Sequence, residues 1–282
     1  MPKKHPEPWR WKATDPSTGH EPGLLYEPGN WGDVLKGVWA VIAARQVLRT
    51  RSSRILRYSD PFAGSPDYPL VEAADKRLAS IPLSWFRDLQ APFTSRGSLP
   101  STASLIREAV GKEPWGADMQ SLIYDADPSR RESWRGAKDT DVLEAESAEE
   151  ALERMASEKI RADFLLVDPY DLFDHWSEIL PNALRHSEES VALLYLYNRS
   201  PRGDGHLRTY RTFRKGLERA AKPAGRLILG RIPADASLPR AYHEVILAGP
   251  TDIVTAALEE LAEATRTLSQ SITEAGAFEL LK

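Results

Sequence analysis

The chain has 282 residues, of which 41% are hydrophobic, and this is sufficient for one large globular domain or two small ones. It has no cysteine, which excludes disulfide bonds, thiolate zinc sites, iron–sulfur clusters and cysteine nucleophiles. The formal net charge of -4 argues against a protein that coats nucleic acid without specificity, because such binding depends on neutralised phosphates.

Neither a targeting segment nor a metal site is predicted. Residues 1–11 lack the apolar core of a signal peptide, and no apolar run in the chain reaches about 18 residues. The histidines show neither paired spacing nor an H-E-x-x-H pattern, so no metal is expected. We therefore expect a cytoplasmic monomer that binds no membrane.

The first part of the chain is predicted to hold an arm, a helix and a strand. Residues 1–24 are rich in Pro, Gly, Lys and Trp without a period, which predicts an irregular arm. Apolar residues then recur at helical spacing, with Asp33 as the expected N-cap, to about Thr50. Ile55–Asp60 is predicted as a strand and is followed by a turn through Gly64. Residues 72–98 are loosely patterned and are interpreted as a small insertion.

Helices and strands alternate from residue 101 onward. The predicted helices are Ser101–Val110, Ser147–Glu158, Trp176–Leu184 and Leu207–Ala221. The predicted strands are Ser121–Asp125, Phe164–Asp168, Val191–Tyr197, Arg226–Arg231 and His243–Ala248. This order predicts one doubly wound α/β domain over 25–250, with a mostly parallel sheet and helices on both faces. Residues 251–282 are expected to form a C-terminal helix packed on that domain.

The strand from Phe164 ends in Asp168-Pro169-Tyr170. Ligands of open α/β sheets bind beyond the carboxyl ends of the strands. A carboxylate and a proline carbonyl there can accept the two hydrogens of an exocyclic amine, while the tyrosine stacks on the ring. The motif therefore indicates capture of a flat, amino-bearing ring such as adenine. The alternative is an ordinary turn after a strand, because Asp and Pro both favour turns.

Four segments resemble the bacterial 23S ribosomal RNA adenine methyltransferases of the RlmJ type. They occur in the family's order, within residues 26–250 over which the resemblance extends, and they are Gly29–Lys36, Tyr58–Gly64, Asp125–Pro128 and Asp168–Tyr170. Three features depart from the family pattern. Pro66 stands where a glycine is usual, one proline is missing before Tyr170, and Glu27 lies near the place of an expected histidine.

The resemblance implies a Rossmann-like class I methyltransferase that uses S-adenosylmethionine. The implied catalytic residues are Asp168, Pro169 and Tyr170. The implied cofactor-binding residues are Asn30, Lys36, Asp60, Phe62, Gly64, Asp125 and Glu146. Each has an ordinary structural alternative: a common turn at Asp60 and Gly64, a solvated aspartate at Asp125, and a charge near a helix N-terminus at Glu146.

Two arginine-rich stretches are candidates for binding RNA or for solvated helix faces. The first contains Arg45, Arg49, Arg51, Arg54 and Arg57, and the second contains Arg199, Arg202, Arg208, Arg211, Arg214 and Lys215. Within the second stretch, we expect Arg208, Arg211 and Arg214 to bind nucleic acid. Tyr197 either stacks on a base there or fills space between strand and helix.

The expected function is methylation of an exocyclic amine, with adenine in RNA, ribosomal RNA included, as the substrate and S-adenosylmethionine as the cofactor. The alternative is a catalytically degenerate methyltransferase-fold module that binds nucleic acid or a protein partner. A nicotinamide-dependent oxidoreductase would share the sheet, but G-x-G-x-x-G does not follow the first strand.

Overall fold

The structure is a computed structural model and describes residues 28–157, 161–169, 172–199, 204–220, 225–234, 241–272 and 277–280. The predicted N-terminal arm and Tyr170 lie outside the described residues. None of the described helices is both long enough and apolar enough to span a membrane.

Eight strands form one sheet in the order β10-β8-β9-β7-β6-β1-β4-β5. These strands are β1 Ile55–Asp60, β4 Asp118–Ile123, β5 Thr140–Val142, β6 Phe164–Val167, β7 Val191–Arg199, β8 Arg226–Pro233, β9 Ala241–Gly249 and β10 Ala277–Leu280. The strands from β7 to β5 are parallel to one another, whereas β9, β8 and β10 add antiparallel pairs at the other side. A separate antiparallel hairpin pairs β2 Asp67–Pro69 with β3 Ser98–Pro100.

Helices cover both faces of the large sheet. They are α1 Trp31–Arg51, α2 Glu72–Ser80, α3 Ser84–Thr94, α4 Thr102–Gly111, α5 Pro128–Trp134, α6 Ala148–Met155, α7 Leu172–Ala183, α8 Asp204–Ala220 and α9 Thr251–Gln270. One hydrophobic core joins the sheet to α1, α4 and α9, and a second joins the opposite face to α7 and α8. The prediction of a doubly wound, mostly parallel α/β sheet with helices on both faces is confirmed.

Helix α1 is the central helix of the larger core. Its side chains are buried on nearly every side, as expected for a helix that is apolar all round. Trp39 lies against Gly230 of β8, where a side chain would overlap the indole ring. The Trp39 indole nitrogen also donates a hydrogen bond of 2.9 Å to Thr265 of α9. These contacts fix α1 between the sheet and α9.

The prediction that Asp33 caps α1 is wrong. The N-cap is Asn30, whose side-chain oxygen accepts hydrogen bonds from the backbone of Gly32 and Asp33 at 2.7 and 3.1 Å. Asp33 instead accepts a hydrogen bond of 2.9 Å from the backbone nitrogen of Gly29. Asn and Asp are both strong N-cap residues, and the first apolar residues of the helical period do not show that the helix begins three residues before Val34.

The first arginine-rich stretch is largely committed to ion pairs within the fold. Arg45 and Arg49 contact the buried carboxylate of Glu113, at 2.8 and 3.7 Å. Arg51 and Arg57 both contact Asp163. These arginines connect α1 and β1 to neighbouring elements, so the structure favours the structural alternative for most of this stretch.

Candidate functional site

Three predicted aspartates follow neighbouring parallel strands. Asp60 ends β1 and pairs in register with Ile123 of β4, and Asp125 lies two residues beyond Ile123. Asp168 directly follows β6, the other neighbour of β1. Because the carboxyl ends of parallel strands meet at one edge, the three carboxylates belong to one side of the sheet. This carboxyl edge is the candidate site.

Lys36 of α1 forms an ion pair with Asp168. Its ammonium also contacts Asp33 at 3.1 Å, and Lys36 is 6% exposed. Burial acts to lower the pKa of Lys36, but the charges of Asp168 and Asp33 raise it well above its ordinary value. Burial raises the pKa of Asp168, and the ammonium of Lys36 opposes that shift. The site therefore contains a permanently charged lysine that favours the ionised form of Asp168.

Asp60 is almost completely buried, at 2% exposure. Its carboxylate accepts hydrogen bonds from the Tyr58 hydroxyl at 2.8 Å and from the backbone nitrogen of Phe62 at 2.9 Å. Burial raises the pKa of Asp60 to about 7, and the nearby charge of Asp168 acts in the same direction. A cation bound beside Asp60 would stabilise its ionised form.

Asp125 holds the loop that follows β1. Its carboxylate accepts hydrogen bonds of 2.9 Å from the backbone nitrogens of Gly64 and Asp127, and Arg130 lies 3.6 Å away. Burial raises the pKa of Asp125. Gly64 has φ +63, a conformation that favours glycine, and a side chain there would also overlap the Tyr68 hydroxyl. The loop thus approaches Asp125 through its backbone.

The loop from Gly64 to Pro66 is fixed at both ends. Trp134 of α5 donates a hydrogen bond of 2.8 Å to the Gly64 carbonyl. The Pro66 carbonyl accepts hydrogen bonds from the backbone of Ser101 at 3.0 Å and the hydroxyl of Ser104 at 2.6 Å. The proline that departs from the family pattern therefore contributes to a loop anchored at the start of α4.

Three rings lie on the β7 and β9 side of the site. Tyr195 and Tyr197 belong to β7, and His243 pairs in register with Tyr197 from β9. The Tyr195 hydroxyl lies 2.8 Å from Nδ1 of His243, and the Tyr197 ring lies 5.1 Å from the His243 ring. The Lys36 ammonium lies 5.2 Å from the centre of the Tyr195 ring. The Tyr195 ring therefore borders the Lys36–Asp168 ion pair, and His243 links it to Tyr197.

The other predicted site residues have different positions. Pro169 is buried directly after Asp168, and Phe62 packs partly against the second core. Glu146 is exposed before α6, and its backbone nitrogen donates a hydrogen bond of 2.8 Å to Glu150. Tyr170 lies outside the described residues. Within the part of the chain that the structure describes, no group of three metal-ligating side chains occurs.

The predicted nucleic-acid residues on α8 differ in exposure. Arg211 is exposed, whereas Arg214 is partly buried and donates a hydrogen bond of 3.3 Å to Tyr210. The side chain of Arg208 lies outside the described residues. Helix α8 begins soon after β7 ends, so its N-terminal half lies nearer the carboxyl edge than its C-terminal half.

Sequence reasoning did not assign site roles to Asp33, Tyr58 or His243. Asp33 precedes Lys36 by three residues, a spacing that brings two helical side chains together, so this contact had a sequence signal. Tyr58 lies two residues before Asp60 on β1, and the two side chains therefore share one face of the sheet. His243 was considered only as a metal ligand, and nothing in its local sequence indicates the contact with Tyr195.

No protein-family model and no curated protein sequence matches the chain. Among solved structures, a protein of Legionella pneumophila assigned to the family-model DUF519 is similar at a TM-score of 0.62 and 10% identity, over 90% of this chain and 97% of the other. This similarity establishes a shared fold. A probable spermidine synthase from Corynebacterium glutamicum has a TM-score of 0.44 and 11% identity, over 88% and 82% of the two chains. A likeness this weak carries no argument.

The order of the strands defines the fold more closely. The parallel strands run β5-β4-β1-β6-β7, and a reversed strand, β9, lies between β7 and β8. The chain therefore has a Rossmann-like α/β fold, with a mostly parallel sheet and helices on both faces.

Proposed function

We propose that the chain is an S-adenosylmethionine-dependent methyltransferase that methylates an exocyclic amine, with adenine in RNA as the substrate. The observation that carries the proposal is the ion pair between the buried Lys36 and the partly buried Asp168, at the start of the Asp168-Pro169 motif. The proposal is supported because Lys36 favours the ionised form of Asp168, and because the next residue, Pro169, has a second acceptor in its carbonyl at the carboxyl edge of the sheet.

The described residues fit the cofactor by their chemistry. Asp60 and Asp125 are buried carboxylates with raised pKa values, and a ligand that carries an ammonium group and ribose hydroxyls would satisfy such groups. Each oxygen of Asp125 accepts one hydrogen bond from the loop backbone, and a carboxylate has capacity for about four. When bound, the cofactor supplies a methyl group on a positively charged sulfur.

Asp168 and Pro169 would orient the acceptor amine. The Lys36 ammonium donates a hydrogen bond to Oδ2 of Asp168, and no described residue donates one to Oδ1. In the proposal, Oδ1 accepts one amine hydrogen and the Pro169 carbonyl accepts the other. These two bonds favour a more tetrahedral nitrogen, whose lone pair is then available for attack. Lys36 keeps Asp168 ionised, and positioning supplies most of the rate enhancement.

The substrate ring requires a stacking partner and the RNA requires a basic surface. Tyr197 and Tyr170 are the candidates for stacking, and Arg208, Arg211 and Arg214 are the candidates for phosphate contacts. Asn30 supports this arrangement indirectly, because it caps the helix that carries Lys36. An adenine that begins in a stem must first be flipped out, at a cost of a few kcal/mol.

The experiment combines calorimetry with a methyl-transfer assay. The wild type is expected to bind S-adenosylmethionine and to transfer labelled methyl groups to ribosomal RNA transcripts. Asp168→Ala and Asp168→Asn should lower kcat by about a hundredfold with little change in the Kd of the cofactor. Asp118→Ala is the matched control, because Asp118 begins β4 at the opposite edge of the sheet.

The binding-module alternative has one observation in its favour. The backbone nitrogen of Gly64 already donates to Asp125, so the described residues close the loop onto the acid that would hold a ribose. Absence of heat on titration with millimolar S-adenosylmethionine would exclude the enzyme. Cofactor binding without transfer to any RNA or DNA would favour a degenerate module.

A further inference from the structure

The rings of Tyr195, Tyr197 and His243 form a cluster at the site. The proposed reaction needs only one of them as a stacking surface for the substrate. Tyr195 and His243 are in direct contact with each other, and the Tyr195 ring faces the Lys36 ammonium. His243 is 7% exposed. The burial of His243 and the contacts of the partly buried Tyr195 with His243 and Lys36 indicate a role in arranging the site rather than in contacting the substrate.

The charge state of the two hydrogen-bonded groups follows from their environment. Burial lowers the pKa of His243 to about 4, so the imidazole is neutral near pH 7. Burial raises the pKa of Tyr195 well above its ordinary value, so the phenol keeps its proton. The bond therefore joins two neutral groups, a phenol and an imidazole, and needs no buried charge. The charged groups that influence His243 are Asp33 and Lys36 on α1 and Arg77 on α2.

Tyr195 connects this hydrogen bond to Lys36. The ammonium lies 5.2 Å from the centre of the ring, within the range of a cation–π interaction. A ring held at its hydroxyl end by His243 has a fixed face to present to Lys36. Gly32, one turn before Lys36, lies against this pair, and a side chain at this position would overlap the Tyr195 hydroxyl.

We propose that Tyr195 and His243 are positioning residues that hold the Lys36 ammonium against Asp168 and thereby keep Asp168 ionised and aimed at the acceptor amine. The chain of contacts runs from His243 to Tyr195, then to Lys36, then to Asp168. This inference rests on the proposed function, and it adds two residues that act through the ion pair.

The kinetic test uses the single and double variants of the pair. Tyr195→Phe and His243→Leu each remove the hydrogen bond and should each lower kcat by about fivefold, with the KM of S-adenosylmethionine little changed. The double variant should be no slower than either single variant, because both act through the same bond. His243→Asn should restore most of the rate, since its side-chain amide can form a hydrogen bond with Tyr195 from the position of Nδ1.

Thr265→Val is the control for loss of a buried hydrogen bond away from the site. Thr265 accepts from Trp39 at 2.9 Å between α1 and α9. This variant should lose stability and keep its kcat. Equal losses of kcat in Thr265→Val and Tyr195→Phe would reduce the pair to a general structural role and overturn the inference.

A second measurement does not depend on activity. The coupling energy between Lys36 and Asp168 is measured by urea unfolding of Lys36→Met, Asp168→Asn and the double variant. We expect this coupling to fall by at least half when Tyr195→Leu is added, and by less with Tyr195→Phe. Undiminished coupling in both backgrounds would contradict the inference even if methyl transfer is observed. If the wild type methylates nothing but the Tyr195 variants show the reduced coupling, only the proposed function is contradicted.

Discussion

Two buried side chains at the candidate site exchange their usual order of titration. An aspartate ordinarily titrates near 3.8 and a histidine near 6.5, but burial places the pKa of Asp60 at about 7 and that of His243 at about 4. Between these values Asp60 is protonated and His243 is neutral. Each therefore avoids a buried charge over the range in which an exposed residue of its type would be charged.

The pH dependence of stability should separate these two residues. The folded state binds the Asp60 proton more tightly than the unfolded state, so this residue's contribution to stability falls as pH rises from about 4 to about 7. His243 acts in the opposite direction, and its contribution falls as pH drops from about 6.5 to about 4. In the wild type the two contributions largely cancel.

Variants that remove one residue should expose the other. Between about pH 7 and about pH 5, Asp60→Asn should lose about 2 kcal/mol of unfolding free energy relative to the wild type, and His243→Asn should gain a similar amount. Urea unfolding at the two pH values measures both changes. Parallel pH profiles for the wild type and both variants would show that neither pKa is shifted in the folded state.

The residues of the site were only partly predictable from the sequence. The aspartates at the ends of β1, β4 and β6 were indicated by their positions after apolar runs. The Lys36–Asp168 ion pair was not, because 132 residues separate the two and helix packing alone decides that they meet. The contact between Tyr195 and His243 likewise depends on the antiparallel register of β7 and β9.

At the scale of secondary-structure elements, α1 links the larger core to the site. Its N-terminal turn contains Gly32, beside Tyr195 and His243, and its next turn carries Lys36. Gly32→Ala should therefore destabilise the protein by about 2 kcal/mol, even though alanine favours a helix by about 1 kcal/mol over glycine. The added methyl group cannot be accommodated without displacing the Tyr195 hydroxyl. Thermal or urea unfolding measures the change.

Gly111 provides the matched control for this substitution. It ends α4, has no positive φ, and a methyl group there would enter open space. Gly111→Ala should leave stability unchanged or raise it by up to about 1 kcal/mol. A Gly32→Ala variant as stable as Gly111→Ala would mean that the Tyr195 hydroxyl moves aside at no cost.

Strong patterns identified most of the elements, and short elements were missed. The capped helix at Ser147 and the apolar strand at Phe164 both agree with the structure. Helix α5 has seven residues and β5 has three, too few to show a period. Strand β10 was missed because its pairing with β8 is set by long-range contacts rather than by its own pattern.

At the scale of the whole molecule, the parallel and antiparallel parts of the sheet have different roles. The parallel strands supply the carboxylates of the site, and the antiparallel strands β9, β8 and β10 extend the core on the other side. Helix α8 follows β7 and covers the face opposite α1 and α9. If RNA reaches the carboxyl edge, α8 is therefore the basic element best placed to contact its phosphates.

The formal net charge of -4 requires that any RNA affinity be local. Arg211 is exposed on α8, and Arg211→Glu should weaken RNA binding and reduce the dependence of log Kd on log salt by about one unit. Arg266→Glu makes the same change in net charge on α9, at the opposite face of the sheet, and should leave the salt dependence unaltered. Fluorescence anisotropy with a labelled ribosomal RNA fragment across a salt series compares the two. Equal losses in both variants would indicate a response to net charge alone, because a local phosphate contact at α8 cannot be weakened equally from the far face.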